Sequence, residues 1–237
     1  MDITLLSAMH ESHAEPGTIS SGSGDLGGAS YGAFQFNSRD DIVSNFLDWV
    51  VNNYPDEALR NYAVVLQQYE IYSDEFNDKW VEIANADHDG FYTLQAAYAK
   101  ELYFEPAADN VLNKLGVDIR ERSETLQAVL MSRAIQYHPR WMPDLFQAGV
   151  QYAIENYGTR TQGVTSLYNC PDRYVISGIY EFLYDDASKA YETYPGQFHS
   201  PEDWANGSSD VIGGLMNRFR DERAEALDML DQEESEK

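Results

Sequence analysis

The fold of this chain is decided by the end of its first apolar segment and the glycine-rich run behind it. The first part reads Glu11-Ser12-His13. The second part reads Gly24-Asp25-Leu26-Gly27-Gly28-Ala29-Ser30-Tyr31-Gly32-Ala33-Phe34-Gln35-Phe36-Asn37. The sequence therefore predicts one carboxylate at the end of a helix and a second on a glycine-rich hairpin. Glycoside hydrolysis needs such a pair, because a proton donor and a second polar or anionic group must flank one glycosidic bond.

This arrangement resembles the goose-type lysozymes and lytic transglycosylases of the lysozyme superfamily over residues 3–37. That family reads a Glu-Ser pair, then Gly-Asp, then an aromatic residue, Gly, two residues and Gln ahead of an Asp. The resemblance implies a mainly α, lysozyme-like helical fold with a small β-hairpin or sheet beside an active-site cleft. It also implies cleavage of peptidoglycan glycan strands. Asn37 stands at the last motif position, so hydrolysis and lytic transglycosylation both remain open.

Glu11 is the predicted catalytic acid. Leu5, Ala8 and Met9 give the first helix an apolar face, and Glu11 lies within one turn of its expected end. The negative end of the helix dipole disfavours a carboxylate anion there, and burial adds a desolvation cost. Both effects favour the protonated form that a general acid needs. Taken alone, Glu11 is also compatible with a solvated helix end, and the hairpin motif decides for catalysis.

The resemblance implies roles for five further residues. Asp25 would be the second catalytic carboxylate, placed near the catalytic water of inverting relatives. Ser12, Tyr31, Gln35 and Asn37 would bind the sugars. Each type of residue also has a structural interpretation: an Asp in a turn bonds its own backbone, and aromatic and amide side chains pack a sheet against helices.

We predict no nucleotide cofactor. Gly22, Gly24 and Gly27 match the Gly-x-Gly-x-x-Gly pattern of dinucleotide-binding folds. Those folds need an apolar strand before the glycines and a helix behind them, whereas residues 16–23 are polar and residues 31–36 are typical of a strand.

We also predict no metal site. His10 and His13 flank Glu11 but lack the i, i+4 spacing of a helical zinc pair. Residues 85–90 imitate the first half of a calcium loop, but Ala96 stands where a bidentate Glu is expected. This pattern favours the N-cap turn of a helix.

The charge excludes nucleic acid as a substrate. The chain has 40 acidic and 16 basic residues, a net charge of −24, and it would repel a polyanion. Only five of the basic residues are Lys, which suggests work at high salt, where charge repulsion is screened.

The cysteine content and the hydropathy pattern indicate where in the cell the protein is made and acts. The lone Cys170 excludes an internal disulfide framework and is predicted to be a buried apolar residue. No apolar run reaches the length of a membrane span, and Met1-Asp2-Ile3-Thr4 lacks the basic start of a secretory signal. We therefore expect a protein made in the cytoplasm that acts on the bacterial cell wall after release or delivery.

Beyond the hairpin the sequence predicts a series of helices. We expect one lysozyme-like domain over residues 1–227, and a division of this domain into two lobes is left open. An acidic, frayed tail over residues 228–237 and a monomeric state are expected. Apolar periodicity and capping residues predict helices at 42–50, 58–69, 74–84, 91–103 (stopped near Pro106), 123–137, 142–157, 172–191 and 212–230. The last would carry Arg218 and Glu222 as an exposed ion pair.

The leading functional prediction is peptidoglycan glycan-strand cleavage by a muramidase or lytic transglycosylase. A phage endolysin or virion-associated lysin is the preferred delivery route, with a secreted antibacterial effector as the second. A chitosanase or chitinase is the rival enzyme, since a polycationic substrate suits the negative charge. A noncatalytic glycan-binding or virion protein is the alternative from another class.

Overall fold

The computed structural model describes residues 2–20, 29–38, 40–193 and 209–236. Three short strands and ten α-helices occur in these ranges, joined in places by single turns of other helix types. They are α1 (Leu5–Ser12), β1 (Ile19–Ser20), β2 (Ser30–Tyr31), β3 (Phe36–Asn37), α2 (Ile42–Asn53), α3 (Glu57–Leu66), α4 (Asp74–Ala86), α5 (His88–Ala99), α6 (Glu105–Leu115), α7 (Glu124–Tyr137), α8 (Met142–Asn156), α9 (Asp172–Thr193) and α10 (Ser209–Ser235). The chain divides into an N-terminal unit, Ser7–Leu102, and a C-terminal unit of Met1–Leu6 and Tyr103–Lys237.

The N-terminal unit combines the small sheet with helices α2–α5. Its strands are antiparallel in the order β1-β2-β3, with Ile19 opposite Tyr31 and Tyr31 opposite Phe36. Behind the sheet lies an aromatic core in which Trp80 is fully buried and its ring centroid lies 4.8 Å from that of Phe91. The apolar stripe predicted for α2 is buried in this core at Val43, Phe46, Leu47 and Val50.

The C-terminal unit is helical, and α9 packs against both α8 and α10. The crossing of α8 and α9 is close because glycines meet there. A Cβ atom on Gly178 would lie 2.1 Å from the backbone oxygen of Gly149. Any side chain at Gly178 would therefore push the two helices apart.

Two predicted helix starts are confirmed in atomic detail. The Ser123 hydroxyl accepts a hydrogen bond from the backbone N–H of Leu126 at 3.1 Å, so Ser123 caps α7. The calcium-loop-like stretch is also an N-cap turn: Asp87 caps α5 by accepting from the N–H of Gly90 at 3.0 Å.

The predicted helix stop near Pro106 is wrong. After α5 the chain continues through a π-helical turn, Lys100–Phe104, directly into α6. Pro106 lies in the first turn of α6, where a missing N–H breaks no intrahelical hydrogen bond.

Two expectations about exposure are also wrong. Glu222 is fully buried, not exposed, because it pairs with buried Arg133 as well as with Arg218. On α1, Ala8 is buried as predicted, but Leu5 and Met9 are 46% and 45% exposed. The neighbouring Leu6 is buried in their place.

Residues 228–235, expected to fray, are the last turns of α10. Leu230 is buried, and the carboxylate of Glu233 accepts hydrogen bonds from the backbone N–H groups of Glu124 and Thr125. Cys170 is buried as predicted, and burial raises the pKa of its thiol to about 11. None of the helices in the described ranges is long and apolar enough to cross a membrane.

Candidate active site

The predicted acid lies where α1 stops. Glu11 is the second-to-last residue of α1 and is half-buried. The next two residues after the helix, His13 and Ala14, have positive φ values of 57° and 61°, and the N–H of Ala14 donates to the carbonyl oxygen of Ala8 at 2.9 Å. This left-handed turn ends the helix one residue after Glu11, so the carboxylate is held at the helix end.

Ser12 ties the end of this helix to the hairpin. Its hydroxyl donates to the carbonyl oxygen of Ala33 at 3.1 Å and accepts from the N–H of Glu15 at 3.2 Å. Ala33 lies in the turn between β2 and β3. The residue next to the predicted acid is therefore bonded directly to the glycine-rich hairpin, and the predicted sugar contact of Ser12 stays a prediction.

Gln95 holds the same turn from the other side. Its Oε1 accepts from the N–H of Ala33 at 2.8 Å, and its Nε2 donates to the carbonyl oxygen of Pro16 at 3.0 Å. Trp80 Nε1 donates to the same oxygen at 2.8 Å. Gln95 and Trp80 are both fully buried. We call the contacts of Ser12 and Gln95 to Ala33 the Ala33 clamp.

The hairpin turn needs glycine at position 32. Gly32 has a φ of 75°, and a Cβ atom there would lie 2.3 Å from Gln95 Oε1. Gln35, a predicted sugar-binding residue, closes the turn with a φ of 50°. Its Nε2 donates to the carbonyl oxygen of Gly32 at 2.9 Å. Gln35 is half-buried, and its side chain is fixed on the turn that carries it.

Tyr31, the predicted aromatic sugar contact, is a packing residue in this structure. It is 1% exposed, and its ring lies against those of Tyr72, Phe76 and Trp80. Its hydroxyl donates to Asn77 Oδ1 at 2.7 Å. Burial, with a smaller effect of Tyr72, raises the pKa of Tyr31 to about 12. A ring enclosed on these sides is not available for stacking on a sugar.

Asn37 and Asp25 were predicted to complete the site. Asn37 is half-buried at the end of β3, and its Oδ1 accepts from the N–H of Asp40 at 3.1 Å. Asp25 lies outside the described residues. Among the described residues, no three His, Cys, Asp or Glu side chains are grouped so that they could hold a metal ion.

Backbone strain is concentrated in this region. Of the six non-glycine residues with positive φ in the described ranges, five lie in the N-terminal unit: His13, Ala14, Gln35, Asp41 and Tyr72. Such conformations cost free energy and persist where the surrounding structure enforces them, which is common at functional sites. Here the strained residues are those that end α1 and form or border the hairpin.

A family model gives this region a wider context. The model described as "Type VI secretion system spike protein VgrG3-like, C-terminal" matches residues 3–200, which is most of the chain. The chain belongs to this family. The matched residues include Glu11, the hairpin and Gln95.

Solved structures show the fold of this family member. A native chitosanase from Bacillus subtilis MY002 matches with a TM-score of 0.54 and 15% identity, over 96% of this chain and 87% of that one. A Gynuella sunshinyii GH46 chitosanase in complex with chitotetraose matches with a TM-score of 0.46 and 16% identity, over 93% and 87%. Among curated proteins there is no match. The predicted fold, mainly α and lysozyme-like with a small sheet, is confirmed.

Sequence reasoning missed Gln95 and Trp80. Their side chains reach residues that are 62 to 79 positions away in the chain. The only local signal is an amide and an indole inside apolar helical stripes, where each needs a hydrogen-bond partner.

Proposed function

We propose that this chain cleaves the glycan strands of bacterial peptidoglycan with Glu11 as the general acid. The observation that supports the proposal is the hydrogen bond from Ser12, the residue next to Glu11, to the carbonyl oxygen of Ala33 in the hairpin turn. Such an arrangement can protonate a glycosidic oxygen while the hairpin holds the sugar rings.

In the proposed reaction, Glu11 gives its proton to the oxygen that leaves C1 of N-acetylmuramic acid. The bond between C1 and this oxygen breaks through an oxocarbenium-like state. In hydrolysis, Asp25 would orient the water that attacks C1, and the proton of that water would leave to a base. In lytic transglycosylation, the C6 hydroxyl of the same sugar would attack C1 instead and form a 1,6-anhydro ring, and its proton would pass to the carboxylate of Glu11, which has already given its own proton to the leaving oxygen. Gln35 and Asn37 would hold the sugars.

Delivery by a secretion spike is part of the proposal. Membership of the VgrG3-like C-terminal family supports this route over the phage route that the sequence alone favoured. The chain would then be the enzymatic end of a secreted assembly, and it would act on the wall of another cell.

Chitosan is the second candidate substrate. The likeness to the Bacillus subtilis chitosanase and the net charge of −24 both favour it, because chitosan is a polycation. Peptidoglycan stays first because Glu11-Ser12 and the hairpin resemble the motif of the goose-type lysozymes and lytic transglycosylases, which cleave peptidoglycan. Digestion of the two polymers side by side distinguishes them.

The test is mass spectrometry of products that wild type and Glu11→Gln release from purified peptidoglycan and from chitosan, at low and high salt. Glu11→Gln is isosteric, so we expect normal folding and a rate loss of at least roughly a hundredfold. Reducing-end muramic products would indicate hydrolysis, and 1,6-anhydro products transglycosylation. If oligomers are released from chitosan but nothing is released from peptidoglycan, the substrate is chitosan. Glycan binding without any product would indicate a noncatalytic protein. Near-native activity of the variant would remove Glu11 from the mechanism.

A further inference from the structure

The C-terminal unit contains a small cavity that is lined by three guanidinium groups. Arg160, Arg173 and Arg223 surround a volume of about 140 Å³, together with Tyr157 and Tyr174. None of the described lining residues is Asp or Glu. This lining is unusual for a chain in which acidic residues outnumber basic ones by 40 to 16.

The guanidinium groups keep donors that their present partners do not use. Arg160 forms no ion pair with any described residue. Arg173 pairs with Asp231 and Glu234 through Nη2 alone. Arg223 pairs with Glu181 through Nη2, and its Nε is buried without a hydrogen-bond partner in the described ranges. A buried N–H without a partner costs free energy until an acceptor arrives.

The residues that line the cavity suit an anion. Arg173 and Tyr174 lie in the first turn of the long helix α9, where the helix dipole favours negative charge, and Ser177 lies in the second turn. The ring of Tyr174 lies 5.7 Å from that of Tyr157. The hydroxyl of Tyr157 donates to Glu181 at 2.8 Å, so this wall is fixed to the partner of Arg223.

We propose that this cavity binds the free α-carboxylate of a short peptide. Guanidinium groups bind carboxylates through paired, charge-assisted hydrogen bonds. A cavity of about 150 Å³ holds a molecule the size of benzene, so this cavity of about 140 Å³ has room for a terminal residue with a small side chain but not for a protein segment. The stem peptides of peptidoglycan carry such ends. The assignment of stem peptides as the source of the ligand rests on the proposed function, whereas the binding of a peptide carboxylate does not.

The test is calorimetric titration of the full chain with N-acetyl-D-alanyl-D-alanine and with its C-terminal amide. We expect the acid to bind, the amide not to bind, and inorganic phosphate to compete with the acid. In Arg160→Gln the affinity for the acid should fall about tenfold or more, because one charge-assisted contact is lost. Arg160 has no ion pair, so this variant should unfold at the wild-type temperature.

Two controls separate this proposal from the catalytic one. Arg140→Gln removes an exposed arginine that stands over the ring of Trp141, outside the cavity, and it should bind the acid like wild type. Glu11→Gln should also bind it normally, even if the proposed glycan cleavage is wrong. Equal affinity for acid and amide, unchanged binding by Arg160→Gln, or binding of phosphate without the peptide would overturn the proposal.

Discussion

The two units use buried polar side chains in different ways. In the N-terminal unit, neutral side chains bond to irregular backbone: Ser12 and Gln95 hold the carbonyl oxygen and the N–H of Ala33. In the C-terminal unit, charged side chains join regular helices: Arg133 of α7 pairs with Glu222 of α10. Gln95, Arg133 and Glu222 are fully buried and Ser12 is half-buried, yet only the first cluster fixes the position of a turn.

The ion pair in the C-terminal unit lies in fully buried surroundings. Arg133 and Glu222 are both 0% exposed, and the guanidinium lies between the rings of Tyr180 and Phe219, 5.2 Å and 5.6 Å from their centroids. Burial has the largest single effect and lowers the pKa of Arg133, but the charges of Glu222, Tyr180 and Tyr137 and the hydrogen bond to Glu222 together outweigh it, so the net pKa is raised. Arg133 therefore stays charged inside the unit, next to the carboxylate of Glu222.

Because the two clusters differ in this way, we expect mutations in one to affect mainly stability and mutations in the other to affect mainly activity. A buried ion pair is costly to break, because the remaining charge loses both water and its partner. A side-chain bond to a turn contributes less to stability, but its loss lets the turn shift, and a small misplacement at a site can lower a rate strongly. We expect the first cluster to control kcat and the second to control the free energy of unfolding.

The largest expected effect is on stability, from Arg133→Met. The change leaves the carboxylate of Glu222 buried with the Nε of Arg218, at 3.4 Å, as its remaining described cation. We expect the free energy of unfolding to fall by about 3–5 kcal/mol, measured by urea denaturation, with kcat of the folded protein unchanged.

The control for this change is the double variant Arg133→Met/Glu222→Leu. It replaces both charges with apolar groups, so most of the lost stability should return. A loss below about 1 kcal/mol in the single variant would show that the pair does not carry the stability of this region.

The second effect breaks the Ala33 clamp. Gln95→Leu leaves the N–H of Ala33 without a partner, whereas Pro16 keeps its bond from Trp80. We expect a loss of about 1–3 kcal/mol in unfolding free energy and a fall of about tenfold in kcat, with a smaller change in KM.

The matched control is Thr161→Val in the C-terminal unit. Thr161 is 4% exposed, and its hydroxyl donates to the carbonyl oxygen of Ala153 at 3.2 Å. This variant should lose stability like Gln95→Leu but keep its kcat. If both variants lowered kcat equally, or neither did, the clamp would have no positioning role.

The helices were predictable because their signals are local. The apolar stripe of α2 and the caps at Ser123 and Asp87 depend on residues within one or two turns of chain. The end predicted at Pro106 was wrong, since one residue pattern fits both a helix stop and the first turn of a new helix.

The contacts that position the candidate site were not predictable in this way. The motif indicated Glu11 and the hairpin, but not the side chain that holds the hairpin, because Gln95 reaches Ala33 across 62 positions. Glu222 was predicted to be exposed for the same reason, because its i, i+4 spacing with Arg218 is the only contact that the local sequence shows. Its main partner, Arg133, is 89 positions away.

The smallest expected effect concerns the end of α10, where a frayed tail was expected. Glu233 accepts from the backbone N–H groups of Glu124 and Thr125 and so satisfies the start of α7 from a distant helix. Glu233→Ala should lower the unfolding free energy by about 0.5–2 kcal/mol, as loss of a cap does, and leave kcat unchanged. Glu236→Ala, an exposed position beyond α10, is the comparison and should unfold like wild type. Equal stability of the two variants in urea would mean that the contact is not made in solution. A measurable difference would show that the last turns of α10 also contribute to the stability of the C-terminal unit.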